Sequence, residues 1–243
     1  ASGRLDLSAA RLALEGAPDA ARALDAEARA RWDGARLTAE GSLAGGFGAP
    51  AAFEAALPLR PAGLLPAPPA DARLDAAVTW SGEIEEIWVL VPAPDHVLSG
   101  RLDLDLRVAG PLRDPDFAGS VTLTDGAYQN LETGTILTDM QLRSRLAPGG
   151  GLELTLEASD GAEGPVEAEI ALDGADLRAR LTTREAVLVR RDDVVAAVTA
   201  DLRAEGPLAA PLVTGDVLID RAEVRLVQTG APALPELGEV EIK

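Results

Sequence analysis

Apolar and polar residues alternate along most of this chain. Leu102, Leu104, Leu106 and Val108 are interleaved with Asp103, Asp105 and Arg107. A period of two places one set on each face of a β-strand. The same rhythm runs through Val121–Thr124, Leu152–Leu156, Val166–Leu172, Leu177–Leu181, Val187–Val189, Val198–Ala204 and Val217–Asp220. Between these runs lie turn signals at Asp125-Gly126, Gly134, Pro148-Gly149-Gly150-Gly151, Asp160-Gly161, Gly164-Pro165, Asp173-Gly174 and Arg191-Asp-Asp193. Strands every 8–12 residues or so predict an all-β sandwich, barrel or solenoid.

The first third is less regular. Gly3–Leu7 and Leu12–Leu14 alternate and predict two short strands. Residues 18–32 carry the Ala, Arg and Glu content of a helix. Asp25, Glu27, Arg29 and Arg31 nevertheless alternate with Leu24, Ala26, Ala28, Ala30 and Trp32, and Asp33-Gly34 follows. That favours a type I′ hairpin with Arg36–Leu43 as the return strand. The prolines of 58–70 predict an irregular connector. Leu74–Trp80 reads as a strand. Over 83–91, Ile84, Ile87, Trp88 and Val91 fall at helical spacing, with Ser81 to cap and Pro92 to stop. One short amphipathic helix is expected there.

One unit recurs. Gly110-Pro111-Leu-Arg-Asp-Pro115-Asp-Phe-Ala-Gly119 joins two alternating runs, and so does Gly206-Pro207-Leu-Ala-Ala-Pro211-Leu-Val-Thr-Gly215. The second begins 96 residues after the first, at 206 against 110. Each proline removes an amide donor and ends a ladder, and each glycine frees the backbone where the next strand begins. A degraded third copy is suggested at Gly41-Ser-Leu43 with Pro50. Repeated strand–connector–strand units predict an elongated β architecture.

Composition narrows the chemistry. The 243 residues carry 22 Lys+Arg against 40 Asp+Glu, a net charge of −18. Such a surface repels nucleic-acid phosphates and anionic membrane surfaces. No cysteine is present, which excludes disulfides, thiolate catalysis and Cys-ligated metals but fixes no compartment. Aromatics make up 3% against 47% hydrophobic residues, so the interior must be aliphatic. No apolar run reaches membrane-spanning length. The start, Ala1-Ser-Gly-Arg4, and the Pro-rich acidic stretch from Pro232 to Lys243 suggest a piece of a longer chain.

No phosphate loop, dinucleotide fingerprint, HExxH, EF-hand or GxSxG motif is present. Gly45-Gly-Phe-Gly48 reads as a loop. Asp103 and Asp105 could form a carboxylate pair or calcium site, but a solvated outer face is the better reading. Tyr128-Gln-Asn130 reads as a hairpin end, His96 as a loop residue, and Trp32, Trp80 and Trp88 as packing anchors. No catalytic residue, metal site or cofactor is expected.

Several motifs in order carry a family resemblance. They are Val78-Thr-Trp80, Ile87-Trp88, Pro92, His96-x-Leu98-x-Gly100 and the first Gly-Pro unit. Asp125-Gly-Ala-Tyr-x-Asn130, Thr133-Gly-Thr135-x-Leu137-x-Asp139, Ala158-x-Asp160-Gly161, Val189-Arg-Arg-Asp-Asp-Val194 and the second Gly-Pro unit follow. From about Asp71 to the end, the chain resembles the TamB translocation and assembly module family of AsmA-like bridge proteins. Residues 1–70 match more loosely. The resemblance implies an internal, periplasmic section lacking the family's inner-membrane anchor and its final segment. It implies an elongated, twisted open β-sheet, or β-taco, with an aliphatic groove and one short helix, the whole chain forming a single domain. It implies phospholipid transport between the membranes of a Gram-negative bacterium. The implied partners are TamA, a BamA-like outer-membrane barrel, and nascent outer-membrane proteins.

On this reading the groove is lined by Leu102, Leu104, Leu106, Val108, Val121 and Leu123 from the first repeat. Leu152, Leu154, Leu156, Val166, Ile170 and Leu172 continue it, and Leu202, Val217 and Ile219 follow in the second. Such a face suits acyl chains because it makes no hydrogen-bonding demand, and each buried methylene recovers about 0.8 kcal/mol. From periodicity alone, a sealed sandwich core is the commoner meaning of such faces. A second functional reading is a scaffold that pairs its edge with nascent outer-membrane strands.

Overall fold

A computed structural model describes residues 3–13, 23–44, 48–62, 65–88, 91–162 and 164–225. The strands are β1 (Gly3–Ala13), β2 (Ala23–Trp32), β3 (Arg36–Ala44), β4 (Ala51–Pro58), β5 (Arg60–Ala62), β6 (Leu65–Ala67) and β7 (Arg73–Glu83). Helix α1 (Ile84–Trp88) follows. Then come β8 (His96–Pro111), β9 (Asp116–Asn130), β10 (Ile136–Leu146), β11 (Leu152–Ser159) and β12 (Pro165–Asp173). The series ends with β13 (Asp176–Arg190), β14 (Val194–Pro207) and β15 (Leu212–Val224).

Thirteen of the strands form one long, twisted, open antiparallel sheet, in the order β1-β2-β3-β4-β7-β8-β9-β10-β11-β12-β13-β14-β15. Every strand except β7 follows its sheet neighbour directly in the chain, and β7 joins β4 past the small β5–β6 hairpin. The sheet does not close: β1 and β15 are its edges. Short meander connections explain the order, because antiparallel neighbours need only a tight turn. One set of turns (Leu112–Pro115, Ala147–Gly151, Gly174–Ala175, Leu208–Pro211) forms a rim here called lower. The segments 84–88, 91–95, 131–135, 160–162 and 191–193 form the upper rim.

The elements depart from expectation in several places. The prolines of 58–70 allow a short hairpin, β5–β6, rather than an irregular connector. The two short strands expected near the start are one strand, β1, with a register break between Leu7 and Ala10. The β2–β3 turn closes on Asp33 and Arg36, whose N···O distance is 3.2 Å. Gly34, φ 102°, therefore sits first of the two central residues, one position earlier than a type I′ turn on Asp33-Gly34 would place it. Asp125-Gly126 is no turn but a bulge inside β9. His96 opens β8 instead of lying in a loop. Gly41 lies inside β3 rather than at its end, so the third copy lacks the role of Gly110. Of the expected helix over 83–91, the described residues show Ile84–Trp88 as helical, with residues 89 and 90 outside the described set. Leu14, residues 45–47 of the glycine cluster, and the segment from Pro232 lie outside the described residues.

Candidate functional site

Registers across the sheet align the apolar residues into rows perpendicular to the strands. Leu102 pairs with Leu123, Leu123 with Leu142, and Leu142 with Leu156. The row continues through Ala168 and Leu181 to Leu202. Two residues lower, Leu104 pairs with Val121, Ser144 with Leu154, and Leu154 with Ile170. Lower still, Leu106 faces Gly119, and Leu146, Leu152, Leu172 and Leu177 follow in order. Val108 lies opposite Phe117 at the lower rim. Above the Leu102 row, Val166 pairs with Thr183, and Ala200 with Val217. Ile219 pairs with Val198. All fifteen lining candidates therefore lie on one face.

The other face takes the charge. Arg143 faces Thr155, Thr155 faces Glu169, and Glu169 faces Arg180. Arg180 clasps Asp201 through two nitrogens, at 3.2 and 2.8 Å, and Arg203 reaches the same carboxylate at 3.4 Å. Asp103 and Asp105 belong to this solvated face, with Asp105 3.6 Å from Arg107. Among the described residues, no group of His, Asp or Glu side chains could hold a metal ion.

Burial divides the aliphatic face. Near the upper rim, Ile84 of α1 packs with Trp80, Leu102, Leu123 and Met140, and Ile87 packs against this cluster. Leu123 is 2% exposed. The helix is tied down at both ends: Glu85 accepts from the Gly100 amide at 3.3 Å, and the Trp88 indole donates to the His96 carbonyl at 2.9 Å. Tyr128 and His96 Nδ1 meet at 2.6 Å beside it. Lower down, Leu104, Leu106, Leu152, Leu154, Ile170 and Leu172 are only half-buried, although strands flank them on both sides. Among the described residues, no second layer lies over them. Val217 and Ile219 are exposed on the edge strand.

The sequence reading missed the bulges in the sheet. Asp125, Asp139 and Glu185 have φ of 51°, 53° and 49°. Each sits where its strand carries an extra residue against its neighbour. Such bulges bend strands. Between them the hairpin β11–β12 is short, and Asp160 fills its end. This carboxylate is 1% exposed and accepts from the amides of Ala162 (2.7 Å), Gly164 (2.8 Å) and Val187 (2.7 Å). Arg190 lies 3.7 Å away. Burial pushes the Asp160 carboxyl up, but the three amides and Arg190 together hold it below its ordinary value. Beyond this plug the β9–β10 turn meets β13: the Arg190 amide donates to Thr133 O at 3.0 Å, and Thr135 Oγ1 to Leu188 O at 2.6 Å. Gly134 is needed there, since a Cβ would stand 2.0 Å from Arg190 O.

The paired Gly-Pro units share their geometry. Gly110 and Gly206 have φ of 117° and 111° at strand ends. A Cβ on Gly119 would lie 2.3 Å from Asp105 O, and one on Gly215 2.0 Å from Asp201 O. The two copies thus place the same close backbone approach in β8–β9 and β14–β15.

Comparison of the chain with family models, curated proteins and solved structures returns no match.

Proposed function

We propose that the aliphatic face carries phospholipid acyl chains as one section of a hydrophobic conduit between the inner and outer membranes. On this reading the protein works in the periplasm, beside a BamA-like barrel partner such as TamA, and without catalysis. The observation that carries the reading is the incomplete burial of the leucine rows below α1. Interior strands of an ordinary core would bury such residues. A row of Leu, Val, Ile and Ala whose flanking charged positions fall on the opposite face suits a chain that brings no hydrogen-bonding group. The motif resemblance supplies the compartment and the cargo.

The test is lipid binding by the purified chain, read with a fluorescent phospholipid. Ile170→Asp puts a carboxylate into the middle of the rows. Affinity should fall tenfold or more, since each 1.4 kcal/mol of charge desolvation is about a factor of ten. Unchanged affinity in a folded Ile170→Asp protein would sink the conduit.

A second reading rests on β15. Its residues from Leu212 to Val224 are exposed, and one side of its ladder is unpaired among the described residues. Such an edge can template an incoming strand. Val213→Pro, on the same edge strand but not among the lining residues, should abolish capture of a strand peptide while leaving lipid binding intact, whereas Ile170→Asp should do the reverse.

A further inference from the structure

We infer that across β8–β10 only the lower half of the aliphatic face holds lipid tails, and that α1 is a fixed roof marking the upper boundary of the track there. This rests on the conduit reading above and locates the path within it. The Leu102 row cannot serve across β8–β10. Ile84 already packs in one cluster with Leu102, Leu123 and Met140, Ile87 packs against that cluster, and Leu123 and Met140 are sealed. Admitting a tail there would mean lifting α1, losing the Ile84 packing and the Trp88–His96 hydrogen bond together.

Below that boundary two rows are only partly buried, the first starting at the edge of the buried cluster. One runs through Leu104, Val121, Leu154 and Ile170, and the other through Leu146, Leu152, Leu172 and Leu177. Rows lie about 7 Å apart along the strands, and the track from β8 to β14 is about 29 Å long at the usual strand spacing. It crosses the strands at right angles. A tail lying along it passes from one leucine to the next without meeting backbone polar groups, which are engaged in the ladders.

Charge complementarity selects the occupant. Arg145, Glu153, Glu169, Arg178, Arg180 and Arg203 all project from the other face, as their registers require. Ser144 is the one side-chain hydroxyl in the two rows, and the Trp80 indole N–H that borders them is bound to Ala49 O at 2.8 Å. A folded protein surface brings polar groups that such a track cannot satisfy, whereas an acyl chain brings none.

Replacement of all leucines by photo-leucine, a near-isosteric diazirine, tests this on the whole chain without choosing sites. The protein is irradiated with phosphatidylethanolamine–phosphatidylglycerol vesicles, and adducts are mapped by mass spectrometry. Retained β-sheet circular dichroism shows that the labelled protein is folded. Lipid adducts several-fold more frequent at Leu146, Leu154, Leu172 and Leu177 than at Leu102 and Leu123 are expected. Equal labelling at Leu102 and Leu123 would overturn the roofed boundary and leave the conduit reading standing. No lipid adduct on any of these residues would overturn both. Chain-to-chain adducts at Leu154 and Leu172, without lipid, would mean that a second copy covers the face, and would overturn the tail track.

Discussion

At the scale of single residues, the strongest constraints come from one carboxylate and two glycines. Asp160 ties Ala162, Gly164 and Val187 together from within the sheet. Asp160→Asn replaces one acceptor oxygen with a donor that must face an amide N–H. The loss should be about 2–3 kcal/mol, read as a lower urea midpoint. Because the folded carboxyl titrates below its ordinary value of 3.8, its contribution is complete above that value and is lost as pH falls through the lower folded one. The Asn variant should therefore show a flatter stability profile in acid, and an identical profile would refute the role. Gly119→Ala would push a methyl into the Asp105 carbonyl and should cost about 1–3 kcal/mol. Gly151→Ala, whose nearest neighbour would be 3.8 Å away, meets no such obstacle and is the control. The glycines of the Gly-Pro units were visible from their recurrence. The work of Asp160 was not, because its partners Val187 and Arg190 lie 27 and 30 residues on and only the fold brings them in.

Among elements, the alternation in β8, β11, β12 and β14 was legible because each has one face toward water and one toward aliphatic neighbours. The bulges were not. An Asp-Gly pair has the same local chemistry in a tight turn and in a bulged strand, and only pairing on both sides tells them apart. Likewise, Leu177–Leu181 and Val187–Val189 read as two strands and are one, β13, with Glu185 absorbing the change of register. Open and sealed parts of the aliphatic face also look alike in sequence, and truncation separates them. Leu123→Ala removes a sealed side chain and should cost about 2–5 kcal/mol. Leu154→Ala removes one that is already partly in water, so its cost should be clearly smaller. Equal costs, measured as urea midpoints at constant m-value, would mean that something covers Leu154.

For the whole molecule, the open sheet makes stability local. Each strand's extensive contacts are with its ladder neighbours, and α1 adds its own to β7 and β8. A structure built this way approximates a one-dimensional array, in which units open separately rather than all at once. The 96-residue repeat puts equivalent residues in unequal settings. Leu123 on β9 is 2% exposed, whereas Ile219, at the matching position on β15, is 62% exposed. The difference lies in what surrounds them: β9 has a strand on each side and the α1 cluster above, whereas β15 is an edge. Amide hydrogen exchange should rank them accordingly. Protection should be greatest in β8, β9 and β10, and amides of β15 should exchange orders of magnitude faster. Leu123→Ala should then lower protection in β8–β10 far more than in β13–β14, because the damage has only nearest-neighbour ladders through which to spread. A uniform loss of protection from β2 to β14 would instead require the sheet to unfold as one cooperative body, which ladder contacts alone do not supply.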